Sequence, residues 1–290
     1  MQVCFYSADQ NYFGSCECGD LTSFMKGLRS STGASKYPSV VNQSFATDTR
    51  RMGWTLTLRS AELEEFRRCP RAWDIGSRNR QNYVPIVPRE VIDFGRAIRD
   101  ALAVYYFPAM DDWNRMIVRP LALHAFRRKV KEHRASQEAR RSLDAAEIAL
   151  WTRYSAYGER LLERYFAWCA TVDDFESVLS DHELRAPIPD PFVAGRDLVA
   201  PDGRALRYVS RLDQLIAEGD ELWIVRHRLA DGWAQGRGLL DDWLGISQAW
   251  AAEICHPQLR IAGNIYNELR VDEVPPDGPP QSPTSSTGAT

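Results

Sequence analysis

From Thr55 onward apolar residues recur at helical spacing, and after Thr171 the period shortens to two. Leu56-Thr57-Leu58 leads into Ser60, a residue type favoured at helix N-caps, and Glu62, Glu64 and Glu65 fall in the first turns, where the helix dipole favours acids. Leu63 and Phe66 supply that helix's apolar stripe, and Pro70, after Cys69, interrupts it before Trp73. A loop carrying Pro85 and Pro88 follows. Val91, Phe94, Ile98, Ala101, Leu102 and Tyr105 mark a second helix that stops before Pro108. Pro120 reads as the first residue of a third, running through Leu123, Phe126 and Val130. A fourth extends from Ser142 to about Ala170, with Ile148, Trp151, Tyr154, Tyr157, Leu161, Tyr165 and Trp168 in phase. So many aromatics at helical spacing read as core rather than as a platform for stacking bases.

Ser180–Ala186 begins the part of the chain with strand-like period, and Pro187, Pro189 and Pro191 mark the loop after it. Tyr208–Leu229 then reads as a hairpin. Leu206, Tyr208, Ser210, Leu212 and Gln214 alternate with Val209, Arg211, Asp213 and Leu215, because side chains on a strand point to opposite faces in turn. Ala217-Glu218-Gly219-Asp220 makes the turn, with Gly219 supplying φ > 0. The return strand puts Leu222, Ile224, Arg226 and Arg228 in phase and His227 on the other face, packed or solvent-facing. A Gly-rich loop from Asp231 to Gly238, a helix from about Leu239 to Ile254 and a last strand over Gln258–Leu269 complete the pattern; Leu259, Ile261, Gly263 and Ile265 share one face of that strand. Helices first, then strands with one late crossover helix, predict either an α/β fold with a mixed central sheet flanked by helices and an N-terminal helical part, or a generic α+β domain.

The ends differ from this core. Residues 1–51 show little periodicity and much Ser, Thr, Gly and Asn, which predicts a poorly structured extension and places the natural start at Met52. The ordered domain is expected over 52–271, and 272–290, rich in Pro, Ser and Thr, is expected to be a disordered tail. Cys16-Glu17-Cys18 lacks the ligand spacing and the nearby His of a zinc site.

The net charge of -3 argues against a generally basic nucleic-acid coat, but the average hides a stripe. Residues 114–141 carry nine Lys/Arg against two Glu, among them Arg127, Arg128, Lys129 and Lys131. That stripe is either a DNA-binding, phosphate-facing surface or a solvated helix face. Only four of the 36 basic residues are Lys, a coding bias that makes Arg in place of Lys less surprising. The six Cys are dispersed, no secretory signal pattern opens the chain, and no apolar run is long enough to span a membrane. A cytoplasmic location with free thiols, and no membrane partner, is the expectation.

Five motifs in order then carry a resemblance. SAELEEFRRCPRAW (Ser60–Trp73) has the pattern Ser-x-x-Leu-x-x-Phe-x-x-Cys-Pro, and GRAIRDAL (Gly95–Leu102) has Gly-x-x-x with Arg99 in the place of a His. SRLDQL (Ser210–Leu215), IVRHRL (Ile224–Leu229) and SQAW (Ser247–Trp250) follow. Over residues 55–270 the chain resembles the RecB-like exonuclease branch of the PD-(D/E)XK nuclease superfamily. The resemblance implies a restriction-endonuclease-like fold, metal-dependent hydrolysis of DNA phosphodiesters with Mg²⁺ or Mn²⁺, and a helicase or other DNA-repair partner. Asp213 takes the first metal-ligand role and Gln248 the position of the motif glutamine, while Arg226 and Arg228 stand where Asp and Lys are expected.

Such chemistry needs carboxylates to bind the metal that polarises the phosphate and activates water, and a Lys to steady the nucleophile or the developing charge. Arg226 instead places a permanent cation at the second carboxylate position and makes Asp213 its expected ion-pair partner, with an attraction of roughly 4 kcal/mol at ~4 Å and an effective dielectric near 20. Arg228 retains charge but not the geometry of Lys. Glu183, on the preceding strand, is the candidate replacement metal ligand beside Asp213, with Glu221 and Asp231 as alternatives, none of the three at the usual spacing. The cysteines do not match the branch's iron–sulfur pattern: Cys69 has only Cys255 late in the chain, so no cluster is expected and Cys69 reads as a buried structural thiol. Three functions follow: a nuclease-family protein that is weak or inactive, an active nuclease using Glu183, Asp213 and Arg228, or a non-enzymatic DNA- or protein-binding module that keeps the fold.

Overall fold

The computed structural model describes residues 2–7, 13–16, 55–77, 79–83, 90–230 and 242–271. The expected Pro85/Pro88 loop, the Gly-rich loop from Asp231 and the 272–290 tail lie outside the described residues. Strands β1 (Gln2–Ser7), β2 (Phe13–Cys16), β3 (Thr55–Arg59), β4 (Glu176–Pro187), β5 (Ala205–Glu218), β6 (Glu221–Ala230) and β7 (Ile261–Arg270) form one mixed sheet. Six of them lie in the order β2-β1-β7-β6-β5-β3, and β4 pairs with β5. The helices are α1 (Ser60–Arg68), α2 (Pro70–Gly76), α3 (Glu90–Tyr105), α4 (Arg115–Glu138), α5 (Ala145–Val172) and α6 (Trp243–Cys255). The molecule is therefore α/β, with a mixed sheet flanked by helices.

Several boundaries move for identifiable reasons. Ser60 is the first helical residue rather than the cap. Arg59 is the N-cap, and its N–H donates to Glu62 Oε2 at 3.1 Å. The third helix begins five residues before Pro120, because Asn114 caps it by accepting from the Met116 N–H at 2.9 Å. Pro120 sits inside α4, where its missing N–H leaves out one ladder bond. Asp144 and Glu147 form a reciprocal capping box at the start of α5, three residues after Ser142. The stop at Pro70 holds: α1 ends at Arg68 and α2 restarts with Pro70 in its first turn. Residues 2–7 and 13–16, where no regular element is expected, supply β1 and β2. β1 pairs antiparallel with β7, Phe5 opposite Ile265.

β5 organises the rest. Along one edge it pairs antiparallel with β4, from Arg207 to Ala217. Its other edge is shared: β3 runs parallel to Ala205–Val209, and β6 runs antiparallel to Gln214–Glu218. Between them, at Ser210–Asp213, no strand among the described residues occupies that edge, and β6 leaves β5 to continue parallel to β7 alone. The turn joining β5 to β6 holds Gly219 at φ 61°, as expected.

α3, α4 and α5 pack on one side around Ile98, Leu102, Phe126, Leu162 and Phe166, with Leu269 and Leu229 of the sheet against them. The aromatic run of α5 does go inward: Trp151 and Tyr165 are buried. Leu63 and Phe66 of α1 do not, being 47% and 45% exposed, because α1 packs on the end of the sheet and not over it. α6 covers a second core formed by Leu184, Leu212, Leu215, Ile224, Ala251 and Ala252. Cys69, expected to be buried, is exposed: it is the extended residue between α1 and α2 and has no helix face to turn inward.

α5 approaches α4 closely at Gly158, where an added Cβ would lie 2.2 Å from Phe126 Cζ. Gly158→Ala is therefore expected to lower stability by about 1–3 kcal/mol through overpacking, read as a lower urea midpoint with an unchanged slope. Gly95→Ala, whose new methyl meets only Leu229 Cδ1 at 3.6 Å, is the matched control and is expected to lose little.

Candidate functional site

Of the site residues expected from sequence, Asp213, Arg226 and Gln248 gather where β5 and β6 part. Asp213 is the last β5 residue before the shared edge, and Arg226 the first β6 residue beyond it. An N–H at the end of a ladder needs an acceptor. Asp213 provides one: its Oδ2 accepts from the His227 N–H at 2.9 Å. Gln248, on α6, meets the matching need across the split, its Nε2 donating to the Arg211 carbonyl at 2.7 Å. It is buried, neither a surface amide nor exposed to an incoming ligand, and its Oε1 has no partner. Two residues expected to carry chemistry thus also close the gap in the sheet.

Arg226 does not pair with Asp213. Its Nη1 bonds Asp242 Oδ2, and the two side chains are only 11% and 15% exposed. Asp242 is fixed independently as the N-cap of α6, its Oδ1 accepting from the Leu244 N–H at 3.1 Å. Tyr266, opposite Arg226 on β7, completes the packing: both Arg226 and Arg228 lie over its ring, at 5.5 and 5.7 Å from the centroid. Burial and the Asp242 carboxylate push the Tyr266 hydroxyl up to about 12. Asp242 was hidden because the helix pattern placed it within an element starting at Leu239. Read as an Asp just before an apolar run, it carries an N-cap signal.

Asp213 is half-buried, and desolvation raises its pKa above the usual carboxylate value. Against that act the charge of Arg99 on α3, the His227 N–H and the charge of Arg226. Asp181 pushes the same way as burial. This acid falls opposite Asp213 in the β4–β5 register, between the Ser180–Gln214 and His182–Leu212 pairs. It adopts φ 52°, a left-handed conformation that Asp tolerates better than most residues, and is gripped in two-point fashion by the Arg211 guanidinium. Asp181 is the acid nearest in register to Asp213. Glu183 is opposite Arg211 instead, exposed, with Arg185 bonded to its Oε1 at 2.8 and 2.6 Å.

These donors do not fit Mg²⁺ or Mn²⁺. Among the described residues no three His, Cys, Asp or Glu side chains gather to hold an ion. Asp213 has one carboxylate oxygen committed to a backbone N–H, the second carboxylate position is a cation, and Glu183 is held by Arg185. Asp231 lies outside the described residues. What the split does offer is Arg99 and Arg226 acting on Asp213, with Arg226 also held by Asp242, and Arg228 beside Arg226 over Tyr266 and opposite the buried Glu268 in the strand register.

His227 is on the opposite face, as the alternation requires, and buried against Tyr106, ring centroids 5.9 Å apart. Burial, reinforced by Arg99, lowers its pKa to about 3, so it is neutral. The basic stripe falls on α4 but is partly neutralised: Arg127 pairs with Glu159 at 2.6 Å, Arg128 with Glu132 at 3.7 Å, and Lys129 with both Asp100 and Glu132 at 3.3 Å. Lys131 is exposed. Among the described residues no helix is long and apolar enough to cross a membrane. No family model matches the chain, and no curated protein matches it.

Two measurements probe this arrangement. Arg226→Ala and Asp242→Asn are each expected to destabilise toward the lower end of the roughly 3–5 kcal/mol typical of breaking a buried pair, and a double-mutant cycle by urea unfolding reads the coupling. Asp213 has a folded pKa above its unfolded one, so its ionised form opposes folding above that pKa, and the opposition fades as pH falls toward the ordinary carboxylate range. Asp213→Asn is accordingly expected to raise stability at neutral pH, with an advantage that shrinks on acidification.

Proposed function

We propose that the chain is a nucleic-acid-binding module built on a PD-(D/E)XK-like scaffold, a relative of RecB-like exonucleases that holds DNA phosphates without metal-dependent hydrolysis. One observation carries this reading: Arg226, at the position where the resemblance calls for a metal-binding carboxylate, is built in by Asp242 and Tyr266 beside Asp213. A site with Arg99 and Arg226 acting on its carboxylate and a further arginine exposed beside them suits an anion better than a divalent cation. Guanidinium groups bind phosphate through paired N–H donors without needing a metal bridge. Arg228 is exposed and, among the described residues, no carboxylate lies within ion-pair reach of it, so it is the arginine best placed to meet a phosphate. The mixed sheet with its split at Asp213 supports the scaffold assignment, as do the five ordered motifs.

A protein-binding role is the second reading. It is favoured by the apolar side chains exposed around the start of α4, where Trp113, Met116 and Ile117 are 49%, 71% and 56% exposed.

The full chain is expected to bind labelled DNA with an affinity that falls steeply between 50 and 200 mM salt, a slope of about 0.9 per phosphate contacted, and to leave it uncleaved in Mg²⁺ or Mn²⁺. Arg228→Ala is expected to weaken binding and reduce that slope by about one unit. Salt-independent or absent binding would favour the protein-binding reading. Arg226→Asp with Arg228→Lys would bring a third carboxylate to those of Asp213 and Asp242. This variant is expected to bind Mn²⁺ by calorimetry and to gain cleavage, and failure of both would remove support for the nuclease ancestry.

A further inference from the structure

α4 is apolar on two faces. Val118, Ala122, Ala125, Phe126 and Val130 turn inward, and a helix at the surface of a fold ordinarily sets polar groups against solvent on the other side. The first turns of α4 do not. Met116, Ile117, Pro120 and Leu121 are exposed at helical spacing opposite the buried face, Met116 to 71%, and Trp113 extends the stripe past the N-cap at Asn114. Single exposed apolar side chains are ordinary, whereas a contiguous group of them marks a contact surface.

The charges at the two ends of this stripe differ in sign. Asp111 and Asp112 come just before it. Arg115 holds Asp111 at 3.1 Å, but Asp112 is exposed and, among the described residues, has no cation within ion-pair reach. Just after the stripe, on the same outer face, come His124 and Arg128, both exposed, and Arg128 pairs with Glu132 of its own helix at 3.7 Å. An apolar stripe with an acid before it and basic groups after it is complementary to itself turned end for end. Laid parallel, two such stripes would set acid against acid and base against base.

We infer that two copies of this chain associate through the outer faces of α4, packed antiparallel about a two-fold axis that passes between Ile117 and Pro120. Ile117 then lies against Pro120 of the partner subunit and Met116 against Leu121 of the partner subunit. Asp112 meets the turn that carries His124 of the partner subunit and Arg128 of the partner subunit. The axis makes each of these contacts twice. The order of charges selects a second copy over an unrelated protein, because the two-fold satisfies both ends of the stripe with no further requirement. The apolar part covers about two helical turns, at the small end of specific interfaces, so the association is reversible and concentration-dependent. The inference rests on the protein-contact reading of this surface and is separate from the nucleic-acid reading, whose arginines stand on β6.

Sedimentation velocity of the full chain over a wide range of concentrations is the test. The 33.0 kDa chain is expected to approach twice that mass as its concentration rises. Met116→Asp combined with Ile117→Asp is expected to weaken the association at least about tenfold, as loss of central apolar contacts does. Asp112→Arg and Arg128→Asp are each expected to weaken it by setting like charges together at both ends of the contact. Mixing these two single variants is expected to restore it, since each end of the mixed dimer again pairs acid with base. All four positions are exposed, and circular dichroism checks that each variant is folded. A mass of 33.0 kDa at every concentration, or a dimer that the Met116 and Ile117 changes leave intact, would overturn the inference. Charge variants that stay monomeric on mixing would overturn the antiparallel arrangement. DNA binding by a chain that remains monomeric would sink the self-pairing and leave the nucleic-acid reading standing; a dimer that binds no DNA would do the reverse.

Discussion

A β-strand has two hydrogen-bonding edges, and β5 is asked to serve three neighbours. β4 takes one edge outright, so β3 and β6 must divide the other, and between their footprints no strand among the described residues pairs with that edge. The arrangement of the site follows from that restriction. Backbone groups at the split require partners, and side chains supply them: Asp213 for the His227 N–H and Gln248 for the Arg211 carbonyl. The place where a sheet runs out of strands is where polar side chains can be gathered inside a protein without leaving orphaned backbone.

Electrostatics at the split are settled by competition among several charges. Asp213 is disfavoured as an anion by burial and by Asp181, and favoured by Arg99 and Arg226. Arg226 is already satisfied by Asp242, an acid that α6 needs as its cap regardless. The cap therefore serves two elements, neutralising an arginine of β6 and closing the first turn of α6. A pair so fixed holds the guanidinium in place, and its charge still reaches Asp213.

Much of the architecture was readable because it rests on local periodicity. The α3 stripe, the α5 aromatics, the break at Pro70 and the turn at Gly219 all follow from rules that span a few residues. What escaped depends on long-range partners. The Arg226–Asp242 pair joins residues 16 apart, across a strand end and a helix start, and charge at a position does not say which opposite charge the fold will deliver. Asp181 was passed over for Glu183 because strand spacing alone cannot fix the cross-strand register. Leu63, Phe66 and Cys69 look like core residues by type, yet α1 and α2 pack at the margin of the sheet. The basic run on α4 is evident in the chain, but its neutralisation by Glu159 and Asp100 comes from neighbouring helices.

The shared edge of β5 also has a mechanical meaning. The β3 end and the β6–β7 end of the sheet meet only along β5, since β3 and β6 do not pair with each other, and β4 runs along the opposite edge of β5 past both. Backbone bonds resist bending within each end, whereas rotation of one end against the other is opposed at the split by the Asp213 and Gln248 contacts and by the helices laid across both. On that edge Ser210–Asp213 rely on side chains in place of a neighbouring strand, while β4 continues along the other edge, so torque between the two halves passes through β4, β5 and the residues that face the arginines.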